Sequence, residues 1–207
     1  TLDADKFAEI TRWGQLDQPI NGMKAAQDAG LKVKLNAVAM QGVNDQEIEA
    51  LVSFAHDNGA DITFIETMPL GAVDTDRAAD FLSLQSVRER LAAHWTLTPL
   101  DETTGGPARY VRCEETGGKI GFITPMSHNF CATCNRVRLT CTGKLYMCLG
   151  QEDHVDLRAA VRSDTPLPAI ENALSLALAQ KPEKHDFAID PDSPAPTLQR
   201  HMSVTGG

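Results

Sequence analysis

The chain is short of positive charge. Its 207 residues carry 19 lysines and arginines against 28 aspartates and glutamates, a formal net charge of −9. A field of that sign disfavours nucleic acid and anionic membrane, so a phosphate-bearing ligand needs a local cationic pocket. No stretch approaches the roughly 20 apolar residues of a membrane span, and no charged-then-apolar signal-peptide pattern appears at the start. Internal repeats and low-complexity blocks are absent. A Walker A loop is also lacking: Thr116-Gly117-Gly118-Lys119 has neither its spacing nor the Ser or Thr that must follow, and reads as a hairpin turn. No cysteine precedes Cys113, and the total of five is odd. In a chain of this length that argues against a disulfide scaffold. Together with a C-x-x-C spacing it points to metal in a reducing, cytoplasmic compartment.

An apolar fraction of 42% over 207 residues suits a real core in one large domain or two small ones. The chain starts at Thr1, inside what reads as an element, which predicts a fragment of a longer protein. Helical patterns run over Ala4 to Thr11, Pro19 to Ala29 with Gly30 as its stop, and Asp45 to Asn58 ended by Gly59. Extended runs lie over Lys34 to Met40 and Asp61 to Met68. This β-α-β order implies parallel strands with a crossover helix. The pattern changes near residue 72. A helix over Leu82 to His94 leads to short extended pieces at Trp95 to Leu100, Ala108 to Cys113 and Lys119 to Thr124. Val137 to Cys141 and Lys144 to Leu149 flank Thr142-Gly143 as a hairpin. Helices follow over Asp156 to Arg162 and Leu167 to Gln180, then a polar tail ending in Gly206-Gly207. The expected division is residues 1–72 and 73–207.

The most specific feature is Cys131-Ala132-Thr133-Cys134-Asn135-Arg136-Val137-Arg138, with Cys148 beyond the hairpin. Two thiolates in a tight turn and a third from a neighbouring strand can share one metal centre. Zinc would need a fourth ligand, from Cys141 or His128. An iron–sulfur cluster on three cysteines would leave one iron open to a substrate. A redox pair at Cys131 and Cys134 would give Cys148 no part. Cys141 reads as a small half-buried residue and Cys113 as core packing. His128, His154, His185 and His201 have no metal-like mutual spacing. Arg136 and Arg138, at i and i+2 of an extended run, present both guanidinium groups on one face, where they can fork onto phosphate or a purine edge.

Phe130-Cys131-x-x-Cys134-Asn135-Arg136-x-Arg138, followed by Gly143-Lys144-Leu145 and Cys148-Leu149, resembles the GTP 3′,8-cyclase family of molybdenum cofactor biosynthesis, which are radical S-adenosylmethionine enzymes. Val33-Lys34-Leu35-Asn36, Phe64-Ile65-Glu66-Thr67-Met68-Pro69, Gly121-Phe122-Ile123-Thr124-Pro125 and the Gly206-Gly207 ending extend the resemblance over essentially the whole chain. It implies an α/β architecture: the C-terminal remnant of an incomplete, TIM-like α/β barrel over residues 1–72, then an α+β iron–sulfur domain over 73–207. It implies that Cys131, Cys134 and Cys148 hold a [4Fe-4S] cluster whose open iron binds the guanine of GTP. Lys34, Arg136, Val137 and Arg138 would contact GTP, with Arg136 and Arg138 also assisting catalysis. Met68 would contact S-adenosylmethionine, and Gly206 and Gly207 would insert towards the active site. The implied reaction begins with reductive cleavage of S-adenosylmethionine at a second [4Fe-4S] cluster. A 5′-deoxyadenosyl radical then takes the 3′ hydrogen of GTP, and the C3′ radical closes onto C8. A homodimer is implied for the whole protein. Two departures stand out. The family's C-x-x-x-C-x-x-C motif is missing, which predicts that these residues alone are inactive. Thr63 stands where many members place a phosphate-binding arginine, which predicts rearranged phosphate contacts. Apart from the resemblance, a zinc-stabilised binding module remains the alternative reading.

Overall fold

The computed structural model describes residues 1–71, 79–188, 198 and 200–205. The chain forms two compact units: Thr1–Thr67 with Asp80–His128, and Met68–Ala79 with Asn129–Gly207. This partition differs from a single change near residue 72, because the three short strands expected to follow that point join the sheet of the first unit.

In the first unit, α1 (Ala4–Thr11) is capped by Asp3, whose carboxylate accepts from the Lys6 N–H at 2.9 Å. Helix α2 (Asp17–Asp28) is followed by Gly30, whose φ of 78° is readily reached only without a Cβ. Strand β1 (Lys34–Ala39), helix α3 (Ile48–Asp57) and strand β2 (Asp61–Glu66) form the expected crossover unit, with β1 and β2 parallel from Lys34 opposite Asp61 to Ala39 opposite Glu66. The helix expected from Asp45 opens instead with a 3-10 turn over Asp45–Glu47. There the Asn44 side chain bonds back to the Met40 N–H and the Val38 carbonyl, both at 2.8 Å, competing with a regular first turn.

Helix α4 (Leu84–Ala92) precedes β3 (Leu97–Leu100), β4 (Arg109–Cys113) and β5 (Lys119–Ile123). The five strands run in the order β1-β2-β5-β4-β3. Strand β5 is parallel to β2, whereas β4 and β3 are antiparallel, so the sheet is mixed. The Thr116-Gly117-Gly118-Lys119 stretch closes the β4–β5 hairpin, as expected, with the Cys113 N–H donating to the Gly118 carbonyl at 3.0 Å. Ile48, Leu51, Val52 and Ala55 share one face of α3 and pack with Leu84, Val87 and Leu91 of α4 against Ile62, Phe64, Ile120 and Phe122 of the sheet. Cys113 is fully buried in this core, in the packing role expected of it.

In the second unit, β6 (Arg138–Leu139), β7 (Lys144–Tyr146) and β8 (His154–Asp156) form an antiparallel sheet in that order. The β6–β7 turn is the expected one. Gly143 has φ 83°, and a Cβ there would lie 2.7 Å from Arg158 Cβ. Helix α5 (Leu157–Val161) is capped by Asp156, and α6 (Pro166–Ala179) begins with proline in its first turn. Their core is small: Leu145, Met147 and Ala177, flanked by Val155 and Leu157.

Candidate metal centre

The Cys131–Thr133 segment is a single 3-10 turn. The Cys134 N–H donates to the Cys131 carbonyl at 3.0 Å, and the Cys131 N–H to Asn129 Oδ1 at 3.4 Å. This is the tight turn the C-x-x-C spacing requires. From Cys134 onwards the backbone is extended, and burial alternates: Cys134, Arg136 and Arg138 are half-buried, while Asn135, Val137 and Leu139 are exposed. The Cys134 thiol and both guanidinium groups therefore share one face, and Val137 points the other way, 43% exposed.

Cys148 follows β7. Its sulfur accepts from the Gly150 N–H at 3.4 Å. That close turn requires a glycine, because a Cβ at Gly150 would sit 2.6 Å from His185 Cβ and 3.1 Å from Phe187. Burial pushes the Cys148 thiol pKa up, and the negative charge of Cys131 and Cys134 adds to the rise. The Gly150 N–H and the Lys181 ammonium oppose it. The three cysteines thus lie within one another's electrostatic reach, and all are free thiols.

Among the described residues, no group of three or more His, Cys, Asp or Glu side chains is gathered tightly enough to hold a metal ion. A single zinc draws its thiolates to about 2.3 Å from one centre. An iron–sulfur group binds each thiolate to a different iron and so accepts a wider spread. The candidate fourth ligands for zinc do not join the cysteines. Cys141 lies exposed in the β6–β7 turn rather than half-buried as expected. His128 is exposed in the first unit, its carbonyl taken by the Thr124 hydroxyl at 2.8 Å. The chemistry these residues offer is three free thiols, with Arg136 and Arg138 on the face of Cys134.

Two side chains of the second unit carry no sequence motif. Lys181, just past α6, donates to the Arg136 carbonyl at 2.9 Å and the Met147 carbonyl at 2.7 Å. Arg200 places its guanidinium 4.1 Å from the Tyr146 ring centroid and donates to the carbonyls of Leu149 at 3.1 Å and Gln151 at 2.6 Å. Its Nε pairs with Glu152 Oε2 at 3.4 Å as an ion pair only, and Nε and Nη1 are buried without a hydrogen bond. Met68 is half-buried at a turn where its carbonyl accepts from the Leu70 N–H at 2.8 Å. The Gly71 N–H then donates to the Leu198 carbonyl at 2.8 Å, which sets Leu198 beside that turn. Gly206 and Gly207 lie outside the described residues.

In the first unit, Lys34 extends its ammonium to the Tyr110 hydroxyl at 3.0 Å, and Thr104 meets the same hydroxyl at 2.9 Å. Burial works to raise the Tyr110 pKa, but the Lys34 and Thr104 hydrogen bonds outweigh it, and the phenol becomes more acidic than an ordinary tyrosine. Thr63 is fully buried beside them, and its hydroxyl lacks a properly formed hydrogen bond. Gly121 permits this arrangement, since a Cβ there would lie 2.6 Å from Thr63 Oγ1 and 2.9 Å from Tyr110. Glu66, 1% exposed, accepts from the N–H groups of Leu84 at 3.2 Å and of Met126 and Ser127 at 3.0 Å, and from the Ser127 hydroxyl. The one signal for it in the sequence is a carboxylate embedded in an apolar strand, which must find donors.

Residues 60–187 match the family described as Molybdenum Cofactor Synthesis C. A Rhizobium etli (strain CIAT 652) protein named GTP 3′,8-cyclase is 56% identical over 207 residues, covering 100% of this chain and 60% of its own length. A Mesorhizobium japonicum protein of the same name is 57% identical over 207 residues, covering 100% of this chain and 62% of its own length. One from Agrobacterium fabrum is 56% identical, again over 100% of this chain and 59% of its own length. The chain thus spans about 60% of the length of these curated relatives.

Proposed function

The chain belongs to the Molybdenum Cofactor Synthesis C family, and on that premise we propose that it supplies the C-terminal part of a GTP 3′,8-cyclase, a lyase converting GTP to (8S)-3′,8-cyclo-7,8-dihydro-GTP in molybdenum cofactor biosynthesis. The observation that carries this reading is the Cys131–Cys134 turn with Arg136 and Arg138 on the same extended face as Cys134, and Cys148 within electrostatic reach of both cysteines. Cys131, Cys134 and Cys148 would hold a [4Fe-4S] cluster, which supplies an iron open to the guanine base. This chain's own residues do the remaining work. Arg136 and Arg138 offset the charge of an anionic nucleotide against the acidic background and orient it, with the Val137 backbone between them. Lys34 is assigned a GTP contact on the family resemblance. Tyr110 occupies one of its three ammonium donors and leaves the others for phosphate oxygens. We assign the phosphate contacts to these cations, a reading that the burial of Thr63 supports.

S-adenosylmethionine and a second [4Fe-4S] cluster belong to the radical-generating half of the reaction. No C-x-x-x-C-x-x-C motif occurs in these 207 residues. We therefore assign that half to sequence outside them and expect no turnover from them alone. On the family resemblance, Met68, at the turn after β2, is assigned to S-adenosylmethionine, and Gly206-Gly207 to insertion towards the active site. We assign a TIM-like ancestry to residues 1–72 on the parallel β1–β2 pair with its α3 crossover, and an iron–sulfur domain to residues 73–207, most of which fall within the family match over 60–187. A homodimer rests on the family resemblance, and a cytoplasmic setting on the free thiols. Among the described residues, no helix is long and apolar enough to cross a membrane.

Anaerobic reconstitution with iron and sulfide tests the proposal. About four irons per chain and visible iron–sulfur absorbance are expected, lost in Cys148→Ala, with GTP binding lost in Arg136→Ala. Stoichiometric zinc released by Cys141→Ser or His128→Ala would sink the reading and favour the binding module.

A further inference from the structure

The β6–β7 ladder stops just where the cysteines begin. Arg138 pairs with Tyr146 and Leu139 with Leu145. Continued one and two steps further, the same register would place Val137 opposite Met147 and Arg136 opposite Cys148. Those residues lie outside the paired strands. The backbones open, and the carbonyls of Arg136 and Met147 must find partners elsewhere.

They find one ammonium. Lys181 Nζ lies 2.9 Å from the Arg136 carbonyl and 2.7 Å from the Met147 carbonyl. Arg136 stands two residues after Cys134, and Met147 immediately precedes Cys148. Lys181 comes from a third segment, and that segment is anchored. Helix α6 ends at Ala179, two residues before it, with Gln180 as its cap, and buries Ala177 against Leu145 and Met147 of the same hairpin. An ammonium has three donors, so two carbonyl bonds leave one proton and the whole positive charge at the mouth of the hairpin. Resting on the iron–sulfur reading above, we infer that Lys181 is a positioning residue for the cluster: its ammonium clamps the open end of the hairpin, sets the separation of Cys134 from Cys148, and places a positive charge beside the cluster. Net charge and hydrogen bonding around the sulfurs set the potential of such clusters, so the charge raises the reduction potential while the clamp slows loss of iron.

These two effects separate by substitution in the reconstituted 207-residue chain. Lys181→Met keeps the length of the stem and removes both the bonds and the charge. It is expected to lower the midpoint potential and to speed iron loss to a chelator by about tenfold or more, the scale on which outer-shell partners act. Lys181→Arg restores both quantities towards the parent. Lys181→Gln keeps a donor without charge, so it shifts the potential while retaining iron better than Lys181→Met. A Lys181→Met chain indistinguishable from the parent in both readouts overturns the inference, as does iron loss in Lys181→Arg equal to that in Lys181→Met. If Lys181→Met does not fold, the Gln and Arg variants decide it: equal potentials in the two overturn the charge role. A parent chain that takes up no iron–sulfur group overturns this inference together with the proposed function. A parent that takes it up, with unchanged variants, overturns this inference alone.

Discussion

The two units of this chain are held together differently. The first builds a broad apolar core from two helices and a five-stranded mixed sheet, with Ile48, Val52, Ile62, Phe64, Leu91 and Ile120 entirely removed from solvent. Its polar groups, Lys34 with Tyr110 and Glu66 with its ring of donors, are set into a frame that burial already supports. Among the described residues, the second unit's core cluster is limited to Leu145, Met147 and Ala177, and its sequence-distant segments meet through Lys181, Arg200 and the Gly150 turn. Burial of apolar surface is worth about 25 cal/mol per Å², so the first unit stands on its own packing. The second depends on polar clamps, and on any inorganic group its thiols bind.

The comparison can be broken by substitution. The largest effect is expected at Phe64, fully buried at the centre of β2. Phe64→Ala should cost about 3–5 kcal/mol in denaturant unfolding, the range for emptying an aromatic site. A cost near zero would show that the first unit does not rest on its core. The next is Gly150→Ala in the second unit. A methyl 2.6 Å from His185 Cβ forces the turn or its neighbour to move, at about 1–3 kcal/mol. Amide protection should fall in β6–β8 and remain intact in β1–β5. A uniform loss would show that the units unfold as one.

The smallest effect sharpens the contrast at the edge of the first unit. Burial of the Glu47 carboxyl tends to raise its pKa, but the Lys6 ammonium, the Thr1 hydroxyl and the Leu2 N–H outweigh it and hold it at about 2. A carboxylate whose folded pKa is depressed contributes stability above its unfolded pKa and loses it as pH falls towards the folded value. Stability should therefore drop between about pH 4.5 and pH 2, and Glu47→Gln should flatten that part of the curve. An unchanged profile would remove Glu47 from the account.

Local pattern made much of this visible in advance. The 3.6-residue period of α3, the parallel β1–β2 unit, the Thr142-Gly143 turn and the two-residue spacing of Arg136 and Arg138 all follow from neighbours in sequence. Pairing between distant strands does not. Nothing in Lys119–Ile123 states that it will lie parallel to β2, and β4 and β3 follow β5 into the first unit by that single choice. Lys181 and Arg200 were illegible for a related reason. Each donates to backbone carbonyls of segments far away in sequence, and carbonyl acceptors leave no mark on residue identity. Cys141 was misjudged because a two-residue-wide turn exposes what a longer strand would have half covered.

The Arg200 stack has a practical consequence for anyone shortening this protein. The guanidinium covers the Tyr146 ring and satisfies two carbonyls immediately downstream of Cys148. A stop codon placed upstream of it uncaps the last cysteine's turn, whereas one placed downstream leaves that turn dressed. Truncations on either side of residue 200 therefore report on separate properties, and a colourless preparation from the shorter one would say nothing about the terminal glycines.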